Sequence, residues 1–99
     1  MATFITTIKY TQQGVKGIGD TTKRAEAFKA DAKKLGVKVV DVYWTMGDYD
    51  GLLILEAPDG ETAAAALLNL ASRGNVQTTT VQAFPAADME KVVQKLRGG

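Results

Sequence analysis

Four consecutive apolar residues, Leu52-Leu53-Ile54-Leu55, lie between a glycine-containing turn and Pro58-Asp59-Gly60. A run this short, bounded this way, reads as a strand. A strand with one face in water alternates apolar and polar residues, whereas an unbroken apolar run is expected where both faces are covered. The chain has 99 residues, enough for one domain spanning 1–99 and one core. Two helices, the number the pattern predicts between strands, cover one side of a sheet. Something further must then lie on the other side.

The rest of the pattern says what this strand belongs to. "TFITTIKY" (3–10) is rich in β-branched and aromatic residues and reads as strand one. "TQQGVKGIGD" collects three glycines and reads as a loop. Ala25, Phe28, Ala32 and Leu35 recur at helical spacing, which predicts a helix over 21–35 with Asp20 as N-cap and Gly36 as stop. "VKVVDVYWTM" (37–46) reads as strand two, with Val40, Val42, Trp44 and Met46 on one face and Val39, Asp41, Tyr43 and Thr45 on the other. The apolar run is strand three (52–57), followed by a helix from about 61 to 72. "VQTTTVQAF" (76–84) is strand four, and Met89, Val92, Val93 and Leu96 mark a final helix. The order β-α-β-β-α-β with a C-terminal helix is the ferredoxin-like α+β pattern. Right-handed crossovers put strands one and three in its centre.

Leaving two leucine-sized side chains in water forgoes about 1.5–3 kcal/mol each. The most economical cover for the second face is the same face of another copy, a homodimer about a two-fold axis. That face also collects several of Thr6, Thr7, Thr78, Thr80, Gln77, Gln82, Asp41 and Tyr43. Hydroxyls and amides around central leucines suit either a wet dimer interface or a pocket for a small, partly apolar molecule.

Composition narrows the chemistry. There is no histidine and no cysteine, and the formal charge is +1. Imidazole general bases, disulfides, thiolate chemistry and thiolate or imidazole metal sites are excluded, so no metal and no cofactor is expected. Near-neutral charge provides no field for nucleic acid or an anionic membrane. The N-terminus lacks signal-peptide character, and the longest apolar stretch, "TAAAALLNLA", is too short to span a bilayer, so a cytoplasmic protein is expected.

Motifs that resemble sites have simpler readings. Gly17-Ile18-Gly19-Asp20-Thr21-Thr22 lacks the third glycine of a dinucleotide fingerprint, and no Gly-Lys-Ser/Thr follows. Lys23, Arg24, Lys29, Lys33 and Lys34 are interspersed with Glu26 and Asp31 and read as a solvated helix face. The C-terminal stripe reads as packing on the protein itself or on a partner subunit. In "WTMGDYDGLL" (44–53), Gly47-Asp48 fit a two-residue type II′ hairpin turn. Asp50 then needs a partner or solvent, and Gly51 implies a bulge or the close approach of another backbone. Asp41, Tyr43, Trp44, Tyr49 and Asp50 remain the candidate ligand-binding residues.

With this hairpin in place, the chain resembles the GYD-domain family of small bacterial and archaeal proteins. Its motif is present as Gly47-Asp48-Tyr49-Asp50, accompanied by "TQQGVKGI", "KRAEAF", "YWTMGDYD", "LEAPD" and "GNVQTTTVQAF" across residues 3–90. The resemblance implies a dimeric α+β barrel of ferredoxin-like domains and no defined activity. The leading expectation is a homo-oligomeric protein that binds a small, partly apolar molecule at the sheet face or dimer interface. The alternatives are a cofactor-independent isomerase or monooxygenase acting on an aromatic or enolisable substrate, and an interaction module without ligand. In the enzyme, Asp50 or Asp41 is the base, and Tyr43, Tyr49 and Trp44 shape the pocket.

Overall fold

The computed structural model describes residues 1–98. Its elements are β1 (Ala2–Tyr10), α1 (Gln12–Lys16), a 3-10 turn (Ile18–Asp20), α2 (Thr21–Lys34), β2 (Lys38–Trp44), β3 (Gly51–Ala57), α3 (Gly60–Ser72), β4 (Val76–Ala83) and α4 (Ala86–Leu96). The four strands form one antiparallel sheet in the order β2-β3-β1-β4. This is the ferredoxin-like arrangement, with β1 and β3 central as right-handed crossovers require.

Parity along the strands divides the sheet into two faces. On the helix-covered face, Phe4 lies opposite Leu55, Thr6 opposite Leu53 and Ile8 opposite Gly51. Phe28 and Ala32 of α2, and Ala63, Ala66 and Leu67 of α3, close over Phe4, Leu53, Leu55 and Ala57 to form the core. Thr6 is completely buried there, and its hydroxyl is satisfied by Thr80 at 2.8 Å. A buried hydroxyl without such a partner would cost stability. Thr78, Thr80 and Gln82 pair with Ile8, Thr6 and Phe4, so these three, together with Thr6, belong to the covered face and not to the open one.

The open face carries Ile5, flanked by Ile54 and Val81, and Thr7, flanked by Leu52 and Thr79. Asp41 lies beside Ile54, and Tyr43 beside Leu52. The β2 parity expected from simple alternation breaks at a bulge between Val39 and Asp41. The extra residue, Val40, lets Val39, Val42 and Trp44 share the covered face while Asp41 and Tyr43 face the other way. The two faces of β3 therefore differ: Leu53 and Leu55 are buried, and Leu52 and Ile54 are only partly buried.

Local signals account for the helix ends. At the end of α2, Gly36 adopts φ +85°, its N–H donates to Lys33 and that of Val37 donates to Ala32, which is a Schellman closure. Asp59 caps α3 by accepting from the Thr62 backbone and hydroxyl at 2.8 and 2.7 Å. Asp20 stands at the start of α2 but makes no side-chain capping bond. The glycine-rich segment after β1 is ordered rather than loop-like. Thr11 caps α1, and Gly14 sits where an added Cβ would be 2.1 Å from the Asn75 carbonyl oxygen. α4 packs extensively on no other element, and none of its residues is buried.

Candidate functional site

The hairpin between β2 and β3 is wider than a two-residue turn. Its closing hydrogen bond runs from the Thr45 N–H to the Asp50 carbonyl at 2.9 Å, which leaves four residues, Met46 to Tyr49, in the loop. Gly47 has φ +116°, so glycine is still required there. The Thr45 hydroxyl donates to the Tyr49 carbonyl at 2.6 Å and braces the loop from inside.

Asp50 joins this hairpin to the end of β1. Its N–H donates to the Ile8 carbonyl at 2.7 Å, and its Oδ2 accepts from the Tyr10 N–H at 2.9 Å. As β3 gives way to the loop, the aspartate side chain replaces the backbone acceptor that Tyr10 would otherwise lose. This is the partner that an aspartate at a strand end requires. Gly51 sits in close quarters: a Cβ there would lie 3.3 Å from the Tyr43 carbonyl oxygen, a tight contact, and 3.6 Å from the Ile8 Cβ, an ordinary one.

Behind this junction, on the helix-covered side, a cavity of about 280 Å³ opens between α2 and the sheet. Ile8, Phe28, Val42, Leu53, Leu70 and Val76 supply its apolar walls. At its rim, the Trp44 indole N–H donates to the Thr21 hydroxyl at 3.0 Å, and that hydroxyl is 2.8 Å from the Tyr10 hydroxyl. Arg24 lies across the N-terminal turn of α2. Its guanidinium donates to the Gly17 carbonyl at 2.7 Å and the Gly14 carbonyl at 3.4 Å. Arg24 is thus partly buried and tied to backbone, rather than one of the free charges on a solvated face.

Of the five candidate residues, Trp44 and Asp50 border this cavity. Tyr43 borders it where its strand passes Gly51, although its register is that of the open face. Asp41 lies instead beside a shallow groove between β2 and α2, and Tyr49 lines neither space. The sequence reading missed Tyr10, Thr21, Arg24 and Phe28. The signal was present: Tyr10 shares strand parity with Phe4, Thr6 and Ile8, and Thr21, Arg24 and Phe28 follow at helical spacings of three and four.

Fold and site together define a ferredoxin-like α+β domain with an open-mouthed cavity on its helical side and a partly apolar open sheet face. The GYD domain model matches residues 4–93, and the chain belongs to the GYD domain family. It is 38% identical over 90 residues to the "Glutamine synthetase and cystathionine beta-lyase binding protein" of Thermus thermophilus, an alignment covering 90% of this chain and 95% of that protein. Among solved structures, TTHA0845 from Thermus thermophilus matches with a TM-score of 0.57 at 24% identity, over 87% of this chain and 96% of that one. MtbAldR matches with a TM-score of 0.66 at 16% identity, over 85% of this chain and 52% of that one, so the chain spans about half of its length. These structural likenesses show the fold.

Proposed function

We propose that this protein is a binding module that assembles with itself and docks a metabolic enzyme. The observation that carries this reading is the open sheet face, where Ile5, Leu52, Ile54 and Val81 form a contiguous patch over β3, β1 and β4. A second copy laid face to face covers this patch and makes a dimeric α+β barrel. α4 remains outside, with Met89, Val92 and Leu96 exposed along it, and supplies an apolar surface of the kind a helix offers a partner protein. The name of the Thermus thermophilus relative supports enzymes of two kinds as that partner. A cysteine-free chain with such partners fits the cytoplasm.

The test is calorimetric titration of the purified protein into purified glutamine synthetase and, separately, into purified cystathionine β-lyase from the same source. Saturable binding to at least one is expected, weakened by paired Met89→Ser and Leu96→Ser substitutions. Heats of dilution alone with both enzymes would overturn the docking role.

A second reading, a small partly apolar ligand, is favoured by the cavity beneath α2 rather than by the open face. Catalysis has less geometric support. Asp50 spends one oxygen on the Tyr10 N–H, and Asp41 is exposed on an edge strand, outside the apolar enclosure that a carboxylate base of this kind needs.

A further inference from the structure

The donors around the cavity do not cancel. Trp44 Nε1, the Thr21 hydroxyl and the Tyr10 hydroxyl carry three hydrogens between them, and the two bonds that link them consume two. The indole can only donate, so it donates to Thr21. If Tyr10 also donates to Thr21, the threonine hydrogen is left over; if Thr21 donates to Tyr10, the tyrosine hydrogen is. Either way one hydroxyl hydrogen on the rim remains for an acceptor from outside the trio.

Charge points the same way. Lys23, Arg24 and Arg73 border the cavity, against a single acid, Asp50. Arg73 is paired with Asp31, and one oxygen of Asp50 is held by the Tyr10 N–H. Among the described residues neither Arg24 nor Lys23 makes an ion pair. The guanidinium of Arg24 has five N–H groups, two of them directed to the Gly17 and Gly14 carbonyls, so three remain. Those two bonds also fix the group in place, and a pre-oriented guanidinium is suited to a carboxylate.

We propose that the cavity between α2 and the sheet binds a small monocarboxylate with an aromatic or branched apolar body. This builds on the small-ligand reading and adds the class of ligand. The apolar walls take the body, and Phe28 and Trp44 give it ring faces to pack against. Arg24 and the surplus hydroxyl hydrogen take the carboxylate. A volume of about 280 Å³ sets the size. It lies just below the range of roughly 300–1,000 Å³ usual for ligand pockets, so the ligand is a single-ring or short branched acid rather than a nucleotide or a flavin.

The protein has one tryptophan, and it stands at the rim. Its fluorescence is therefore titrated with phenylacetate, 3-phenylpropionate and 4-methylpentanoate, each beside its primary amide and the amine of the same carbon skeleton. At least one carboxylate is expected to bind saturably and at least tenfold more tightly than its amide, with the amine weakest. Arg24→Gln should remove that tenfold preference while leaving the weak amide binding in place. Ala25→Leu, which intrudes on the cavity, should abolish the response, and thermal melts confirm that both variants fold. Equal binding of carboxylate and amide, or tighter binding of the amine, would overturn the carboxylate class and leave the small-ligand reading standing. A response that survives Ala25→Leu, or none with any compound in either fluorescence or methyl NMR shifts, would overturn both.

Discussion

Asp50 shows how a residue that looks catalytic in sequence is committed by its backbone surroundings. Its carboxylate accepts the N–H at the end of β1, and its own N–H completes the pairing to Ile8. Removing the acceptor leaves a partly buried N–H unsatisfied, a loss of about 1–3 kcal/mol. Asp50→Ala should lower the unfolding free energy by that amount in urea titrations, while Asp50→Asn, which keeps a carbonyl acceptor, should recover most of it. Equal loss from both would mean that charge, not the hydrogen bond, is what matters. Asp59 makes the complementary case at the start of α3. Hydrogen bonds from the Thr62 hydroxyl and backbone hold its carboxyl below the usual carboxylate range. A carboxyl depressed in the folded state contributes stability above its unfolded pKa and loses it as pH falls through the folded one. Asparagine keeps a capping oxygen but carries no charge to titrate and accepts the Thr62 hydrogen bonds less strongly than a carboxylate. Melting curves of the native protein and Asp59→Asn should therefore differ at neutral pH, with the native protein higher, and converge in acid.

At the scale of elements, the sequence pattern was legible where periodicity and breakers agreed. β1, β3, β4, α2 and α3 fall within a residue or two of the expected spans, since Gly36, Asp59 and Gly74 each mark an end by a local mechanism. Two features escaped for physical reasons. The bulge at Val40 reverses the parity of part of β2, and the adjacent pair Val39-Val40 suits either face, so the pattern does not say which of the two is the extra residue. The segment after β1 looked like a loop because Gly14 and Gly17 are poor helix formers. Yet α1 is held by contacts distant in sequence. The Thr11 N–H donates to the Asn75 carbonyl at 3.0 Å, and Gln13 Nε2 donates to the Arg73 carbonyl and to Asn75 Oδ1, each at 3.0 Å. Gly14 is there because the Asn75 carbonyl leaves no room for a side chain. In an open helix, Gly→Ala stabilises by up to about 1 kcal/mol; here Gly14→Ala should destabilise by about 1–3 kcal/mol through overpacking. Chemical denaturation gives the sign, and a stabilised variant would mean that α1 is not docked on this loop. The cavity was hidden for the same reason as α1, because its wall is assembled from all four strands, α2 and the end of α3.

As a whole molecule the chain is extended, measuring 52 × 31 × 18 Å with a radius of gyration of 15.0 Å. A compact chain of this length has a radius near 13 Å, roughly. The excess fits α4, which stands away from the body with Leu96 84% exposed. The opposing faces of the sheet have separate tasks: the covered face holds the core and the cavity, and the open one is proposed to make the interface. The run Leu52-Leu53-Ile54-Leu55 reaches both faces, with Leu53 and Leu55 in the core and Leu52 and Ile54 on the open side. Whether a second copy covers the open face is tested most directly by sedimentation equilibrium at micromolar concentration. The native chain should have twice the 10.6 kDa mass of one copy. Ile54→Lys, at the centre of the face and outside the core, should sediment as a folded species of single mass. A native protein of single mass, or an Ile54→Lys variant that still dimerises, would contradict the face-to-face dimer.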